Sequence, residues 1–215
     1  MDHKTLQLER IVFFSDAVFA IAITLLIIEV KVPHLEHTAT DRDFIMSLVQ
    51  LIPNFVGYLF SFLVIGAYWM GHHKIYGHIV NWNYGLVWRN TFFLLAIAFM
   101  PFSTAFFSEN VTRIVPIVFY AVTFTLAGVL EVVLWRYAIK NGLTDPASDR
   151  AELDHLTWRM SVLPAAGVLS AVIAFFAPLF AGFAFALIPI AHRMIGAKFR
   201  REELAKKELA SGTEG

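Results

Sequence analysis

An aspartate sits inside the first apolar segment of the sequence, where a carboxylate needs a reason to be. Asp16 lies in Arg10-Ile-Val-Phe-Phe14-Ser15-Asp16, and the apolar run continues through Ile21, Thr24, Leu25 and Ile28 to Glu29. A charged side chain at the centre of a membrane helix costs from about 2.5 kcal/mol upward, so such an acid either has a partner or a task. Two chemistries fit. Asp16 and Ser15 can form a buried polar contact that locks helices together, or Asp16 can bind an ion or relay a proton.

A second group stands in Tyr68-Trp69-Met70-Gly71-His72-His73. Trp69 and His73 are four apart and share one helix face. They suit a headgroup boundary, and His73 is also placed to hydrogen-bond Ser15 or Asp16, which would make that contact pH-sensitive. Adjacent His72 and His73 point apart on a helix, so no shared metal site is expected. Glu131 is a second acid in an apolar stretch, five residues from Arg136 and therefore not stacked on it. It is expected to have some other partner.

The elements that must position these residues are membrane helices. Of 215 residues, 58% are hydrophobic and 16% charged, and the mean hydropathy is +0.63. A water-soluble domain carries more charge. Net charge is zero, which argues against nucleic acid as a partner. Cysteine is absent, which excludes a disulfide framework, a thiol nucleophile and a Cys-based metal site. There is no Gly-x-Ser-x-Gly, His-Glu-x-x-His or paired-aspartate motif. The expectation is no enzyme, no catalytic residues, no metal and no cofactor.

About 20 apolar residues cross a bilayer as a helix. Six such stretches are expected: Leu8 to Val30, Phe44 to Met70, Leu86 to Phe107, Val111 to Ile139, and two shorter ones, Met160 to Phe176 and Pro178 to Ile195. The last two read as a hairpin turning at Ala177-Pro178. His34 to Asp43 reads as a polar loop, and Asn141-Gly142 with Asp145-Pro146 as a turn region before the charged stretch Asp149 to Asp154. Met1 to Arg10 lacks a cleavage-site pattern, so the first stretch is taken as a retained helix. Residues 1–197 form the membrane domain, and 198–215 a charged tail ending in a flexible Ser-Gly-Thr-Glu-Gly.

With six crossings both termini lie on one side. That side holds all but Lys31, Arg42 and Arg113 of the 17 lysines and arginines, so both termini are expected to be cytoplasmic. Trp82, Trp88, Trp135 and Trp158 then fall near cytoplasmic ends as interface anchors. Pro101 is expected to kink the third span. Gly167 and Gly182 are expected to permit close helix contact.

On a helical wheel at 100° per residue, Ile21, Leu25 and Ile28 share a stripe with Arg10, Phe14 and Ala17, and Thr24 lies beside it. Asp16 falls nearly opposite, pointing toward another helix of its own subunit. Branched aliphatics at this spacing also occur as plain packing.

The Arg10-x-x-x-Phe14-Ser15-Asp16 motif, with the Ala17 to Leu26 run behind it, resembles the first-helix signature of the transmembrane protein 175 family of potassium channels. Trp69-x-x-His72-His73 and Phe99-Met-Pro101-Phe102 are similar to that family's second and third helices. The resemblance implies a prokaryotic-type subunit, an all-α membrane protein of six transmembrane helices that assembles as a homotetramer around one pore in a prokaryotic inner (plasma) membrane. It also implies that the first helix lines the pore and that bulky aliphatics replace a carbonyl filter, with Ile21 as the main constriction, Leu25 and Ile28 as further rings and Thr24 as a polar lining position. Arg10, Phe14, Ser15 and Asp16 would then pack the pore helix, with Trp69 and His73 as candidate partners. The permeant species would be potassium among monovalent cations, moderately selected by partial dehydration at a dry neck, with Glu29 concentrating cations near the outer mouth. The rival reading is a proton-coupled secondary transporter relaying protons through Asp16 and His73.

Overall fold

The computed structural model describes residues 3–212, and every regular element among them is helical. The first helix, α1, runs His3–Ile28, and a short α2 (Asp41–Gln50) precedes α3 (Ile52–His78). Then come α4 (Tyr84–Ser108), α5 (Ile114–Lys140) and α6 (Arg150–Phe176). A 3-10 turn at Pro178–Phe180 and a one-turn α7 (Phe183–Ala186) lead into α8 (Ile188–Gly212). Six segments are long and apolar enough to cross a membrane: Thr5–Ile28, Ile52–His78, Tyr84–Ser108, Ile114–Lys140, Arg150–Phe176 and Pro178–Arg201. The chain is thus an all-α, multi-pass membrane protein.

Three spans, the second, fifth and sixth, differ most from the sequence reading. The second span begins at Ile52 and runs to His78, rather than from Phe44 to Met70. The apolar run from Phe44 belongs to α2, which starts inside the expected polar loop. Thr40 and Asp43 form a reciprocal capping box there, which satisfies orphan backbone donors at the helix start. Hydrogen bonds from the Thr40 hydroxyl and backbone N–H hold the Asp43 carboxyl below the usual carboxylate range. Pro53 then opens α3, where its missing N–H costs nothing.

The fifth span is not short. Asp149 caps α6 by accepting from the Ala151 N–H at 3.0 Å, and the charged stretch becomes its first turn. Leu153, Leu156 and Met160 form the buried stripe that holds it on α5. In the sixth span the chain leaves α6 at Ala177 and returns through the 3-10 turn and α7. α8 then runs unbroken past residue 198, with His155 of α6 stacked on Phe199 at 4.2 Å. The expected flexible end is helical at Ser211 and Gly212, while Thr213 to Gly215 lie outside the described residues.

α1 packs on α3 and α4, α4 on α5, α5 on α6, and α6 on α8. The central core joins Phe19, Ala22 and Leu26 of α1 to Tyr68 of α3, Phe93 and Ile97 of α4, Phe124 of α5 and Phe185. A second core lies toward the face where α1 begins, the N-terminal face, and contains Ile75, Leu86, Leu134, Trp135 and Leu156. Trp135 is therefore no interface anchor. It is fully buried, and its indole N–H donates to Thr157 Oγ1 at 2.9 Å. Gly167 brings α6 against α5, since a Cβ there would meet Phe124 Cδ1 at 2.8 Å, whereas Gly182 faces open space. α4 continues through the buried Pro101.

At the N-terminal face two connections are joined by main-chain bonds. Val80 and Asn81 donate to the Leu143 carbonyl at 2.9 and 3.1 Å, and Asp145 N–H donates to the His78 carbonyl at 2.8 Å.

Candidate functional site

The burial pattern of α1 divides the helix lengthwise. Ser15, Phe19, Ala22 and Leu26 are buried, at the i, i+4, i+7, i+11 spacing of one helical stripe. Opposite them Arg10, Phe14, Ile21, Thr24, Leu25 and Ile28 are exposed on the single subunit. Ile21 is 58% exposed, Leu25 40% and Ile28 69%. A row of bare aliphatics on a helix of which one stripe is packed into the protein is a surface that lipid or another copy must cover. Thr24 lies on the same side. Its hydroxyl donates back to the carbonyls of Ala20 and Ile21, both at 2.9 Å, so its oxygen lone pairs are turned outward from its own hydrogen bond.

Asp16 belongs to neither stripe and is half-buried. Trp69 Nε1 of α3 donates to Asp16 Oδ1 at 2.9 Å. A hydrogen bond to an ionised acceptor is worth about 1.5–3 kcal/mol. His73 does not reach Asp16 in any described hydrogen bond; its ring stacks on Trp69, centroids 5.7 Å apart and 26° between planes. Asp16 and His73 thus flank the same indole.

One turn deeper in the packing, a directional chain joins three helices. His72 Nε2 lies 2.9 Å from Asn90 Oδ1, Asn90 Nδ2 donates to Ser15 Oγ at 2.9 Å, and Ser15 Oγ donates to the Ile11 carbonyl at 2.8 Å. His72, Asn90 and Ser15 are all buried. With the Asn90 amide donating to Ser15, its oxygen accepts, so Nε2 of His72 carries the hydrogen. The expectation that His73 would bond Ser15 or Asp16 is corrected: Ser15 connects through Asn90 to His72. The stripe Ser61, Tyr68, His72, Ile75 is the buried face of α3, and its spacing places His72 inward and His73 outward. Asn90 was missed as the hub because nothing on α4 alone says which helices converge on it.

A second polar knot lies further along the bundle. Ser61 Oγ is 2.8 Å from Thr104 Oγ1 and 3.0 Å from the Tyr120 hydroxyl, and Tyr68 donates to the Phe124 carbonyl at 2.7 Å. These bonds join α3, α4 and α5 without touching α1.

Glu131 departs from expectation. It is 0% exposed and both carboxyl oxygens lack a hydrogen-bond partner among the described residues. It presses on α3 where that helix has no side chain: a Cβ on Gly71 would meet Glu131 Oε1 at 2.5 Å. Space on α3, not a polar partner, accommodates it. Arg10 is exposed and enters none of the described hydrogen bonds or ion pairs. Phe14 likewise faces away from the core. The Arg-x-x-x-Phe-Ser-Asp motif is therefore split, with Arg10 and Phe14 on the exposed stripe and Ser15 and Asp16 turned to neighbouring helices.

Comparison with known proteins adds to this geometry. Residues 10–101 match the family described as endosomal/lysosomal potassium channel TMEM175. The chain is 34% identical to a potassium channel of Chamaesiphon minutus over 154 residues, 69% of this chain and 74% of that one. It is 31% identical to a potassium channel of Streptomyces collinus over 145 residues, 65% of this chain and 69% of that one. Vertebrate relatives carry the name endosomal/lysosomal proton channel; the human protein is 26% identical over 146 residues, of which this chain spans 29%. The crystal structure of a lysosomal potassium-selective channel homologue from Chamaesiphon minutus superposes with a TM-score of 0.75 at 29% identity, covering 88% of this chain and 98% of that one.

Proposed function

The chain belongs to the TMEM175 family of ion channels, and from that premise we propose that it is one subunit of a homotetrameric potassium channel in a prokaryotic plasma membrane, both termini cytoplasmic. Four copies of α1 surround the pore and present Ile21, Leu25 and Ile28 to its axis. The observation that carries this reading is the exposed aliphatic stripe of α1 set opposite a stripe that is fully packed. The three side chains lie four and three residues apart, which at about 1.5 Å per residue is about 6 and about 4.5 Å of rise, so they form successive rings rather than one contact. A narrow apolar neck opposes ions by staying dry and conducts when wetted. Potassium sheds its hydration shell more readily than sodium, so partial dehydration favours it, and the outward lone pairs of Thr24 replace part of that shell.

Asp16 is a positioning residue in this reading. Its bond to Trp69, together with the Ser15–Asn90–His72 chain, fixes the rotation of α1 about its own axis. Arg10 and Phe14, on the exposed stripe, meet other copies of α1 or the pore vestibule. Residues 1–197 make the channel and 198–215 extend it as a charged cytoplasmic tail.

The test is ion flux from proteoliposomes of the purified protein. Potassium efflux exceeding sodium efflux, with proton flux measured alongside because of the vertebrate relatives' name, is the expected result. Proton flux without potassium flux would replace potassium as the permeant ion, and saturable pH-driven uptake dependent on Asp16 and His73 would replace the channel reading.

A further inference from the structure

On the N-terminal face, the last turns of α3 and the first turns of α6 bound a cleft of about 430 Å³. α3 contributes His73, Lys74 and His78 to its wall, and α6 contributes Glu152, His155 and Arg159. The one acid is engaged, with His78 Nε2 lying 4.0 Å from Glu152 Oε1. Neither Lys74 nor Arg159 has a carboxylate in ion-pair range among the described residues, where the ion pairs are His78–Glu152 and Arg150–Asp154.

From α8, His192 lies within electrostatic reach of both Arg159 and Lys74, and its Nδ1 is buried without a hydrogen-bond partner among the described residues. Lys74 and Arg159 thus both bring positive charge to this part of the face, and the one carboxylate in the cleft wall, Glu152, is taken up by His78. Like charges in a partly desolvated site repel, and a dianion removes that repulsion while supplying an acceptor for each donor. Basic pockets between helices at the cytoplasmic headgroup level are where phosphorylated lipid heads are held. Lys74 lies one turn inside the end of α3 and Arg159 between two and three turns inside the start of α6, both within segments long and apolar enough to cross a membrane.

We propose that this cleft binds a phosphomonoester dianion, carried on a lipid headgroup or free in solution. Lys74 and Arg159 are its ion-pair partners and His73 borders the site. His155 is part of the wall, its ring stacked on Phe199. Through His73 the site touches Trp69, the residue that holds Asp16 of α1. The proposal rests on the charge and shape of this face and does not depend on ion conduction.

The test uses the full chain in detergent. Native mass spectrometry follows retention of phosphatidic acid against phosphatidylcholine, and calorimetry follows inorganic phosphate. Two unscreened bases predict a preference of about tenfold or more for phosphatidic acid, lost in Lys74→Gln/Arg159→Gln. Either single variant, less demanding on folding, loses about threefold or more. The variant Arg136→Gln/Lys140→Gln, in a separate basic groove of this face, keeps the preference. Phosphate binding that needs the same two residues assigns the free anion as well. No preference for phosphatidic acid and no phosphate heat, or equal loss in both double variants, overturns the proposal.

Discussion

Trp69 and Asp16 meet across α3 and α1, the indole N–H donating to the carboxylate at 2.9 Å. The bond is made on the flank of α1, between its buried and exposed stripes, so it acts as a lever on the helix's rotation. Trp69→Phe keeps a ring for His73 to stack on and removes only the donor. It is expected to lower thermal stability by about 1.5–3 kcal/mol and reduce the tetramer fraction on gel filtration. Asp16→Asn is expected to lower the tetramer fraction as well. Full assembly with abolished flux in Asp16→Asn would instead put the acid in the ion path.

Ile21→Ala and Ile21→Asn address the neck. Both widen it, and the amide also wets it, so potassium flux should rise severalfold and selectivity over sodium should fall. Flux and selectivity equal to the parent in both variants would remove Ile21 from the constriction.

Asn90 is the hub of the buried polar chain. Asn90→Ala orphans the buried His72 Nε2–H, at about 1–3 kcal/mol for the unsatisfied group, and takes away the donor that Ser15 Oγ accepts from while leaving its bond to Ile11, so it should be among the more damaging substitutions in the bundle. His73→Ala, on the outer face, should cost well under that. Thermal unfolding in detergent separates the two, and equal melting temperatures would contradict the network.

How much of this was legible beforehand depends on what each feature is made of. The six crossings follow from apolar length, which composition carries directly, and the split of α1 follows from helical periodicity. The start of α3 was hidden because Phe44 to Val49 continues the apolar signal into Ile52. The true boundary is written in Thr40, Asp43 and Pro53, which are capping signals rather than hydropathy. The early start of α6 was hidden by its charges, although the Leu153, Leu156, Met160 stripe was readable. Asn90 was illegible for a different reason, since its role exists only where three helices meet. Placing His73 where His72 belongs was avoidable, because the register Tyr68, His72, Ile75 already chooses between them.

Glu131 and Gly71 form a complementary pair, a large buried acid against a missing side chain. Gly71→Ala should destabilise by about 1–3 kcal/mol through overpacking. Adding Glu131→Ala should recover part of that loss, a coupling visible in a double-mutant cycle. Glu131→Met should be neutral or stabilising, because an apolar side chain of similar length has no unsatisfied oxygens. A strongly destabilised Glu131→Met would mean that the carboxyl has a partner after all.

The Asp43 carboxyl is held below its usual range by Thr40. A lowered folded value means its support for α2 is complete above the unfolded carboxylate pKa, about 3.9, and is lost as pH falls through the lower folded value. Hydrogen exchange at the Asp43 and Phe44 amides should accelerate only in acid below that range. In Thr40→Val, without the hydroxyl, the Asp43 titration should move back toward the ordinary value. An unmoved titration would leave the hydroxyl without influence.

The main-chain bonds that join Val80 and Asn81 to Leu143, and Asp145 to His78, bear on where the molecule can be altered. Inserting a tag, a fluorophore site or extra residues near 142–145 would separate partners that have no substitute, and would loosen α3, α4, α5 and α6 at once. Among the described residues, the connection between α1 and α2, around Pro33 to Glu36, carries no such cross-bond to another loop. A label placed there reports on the opposite face and leaves the bundle's own seams closed.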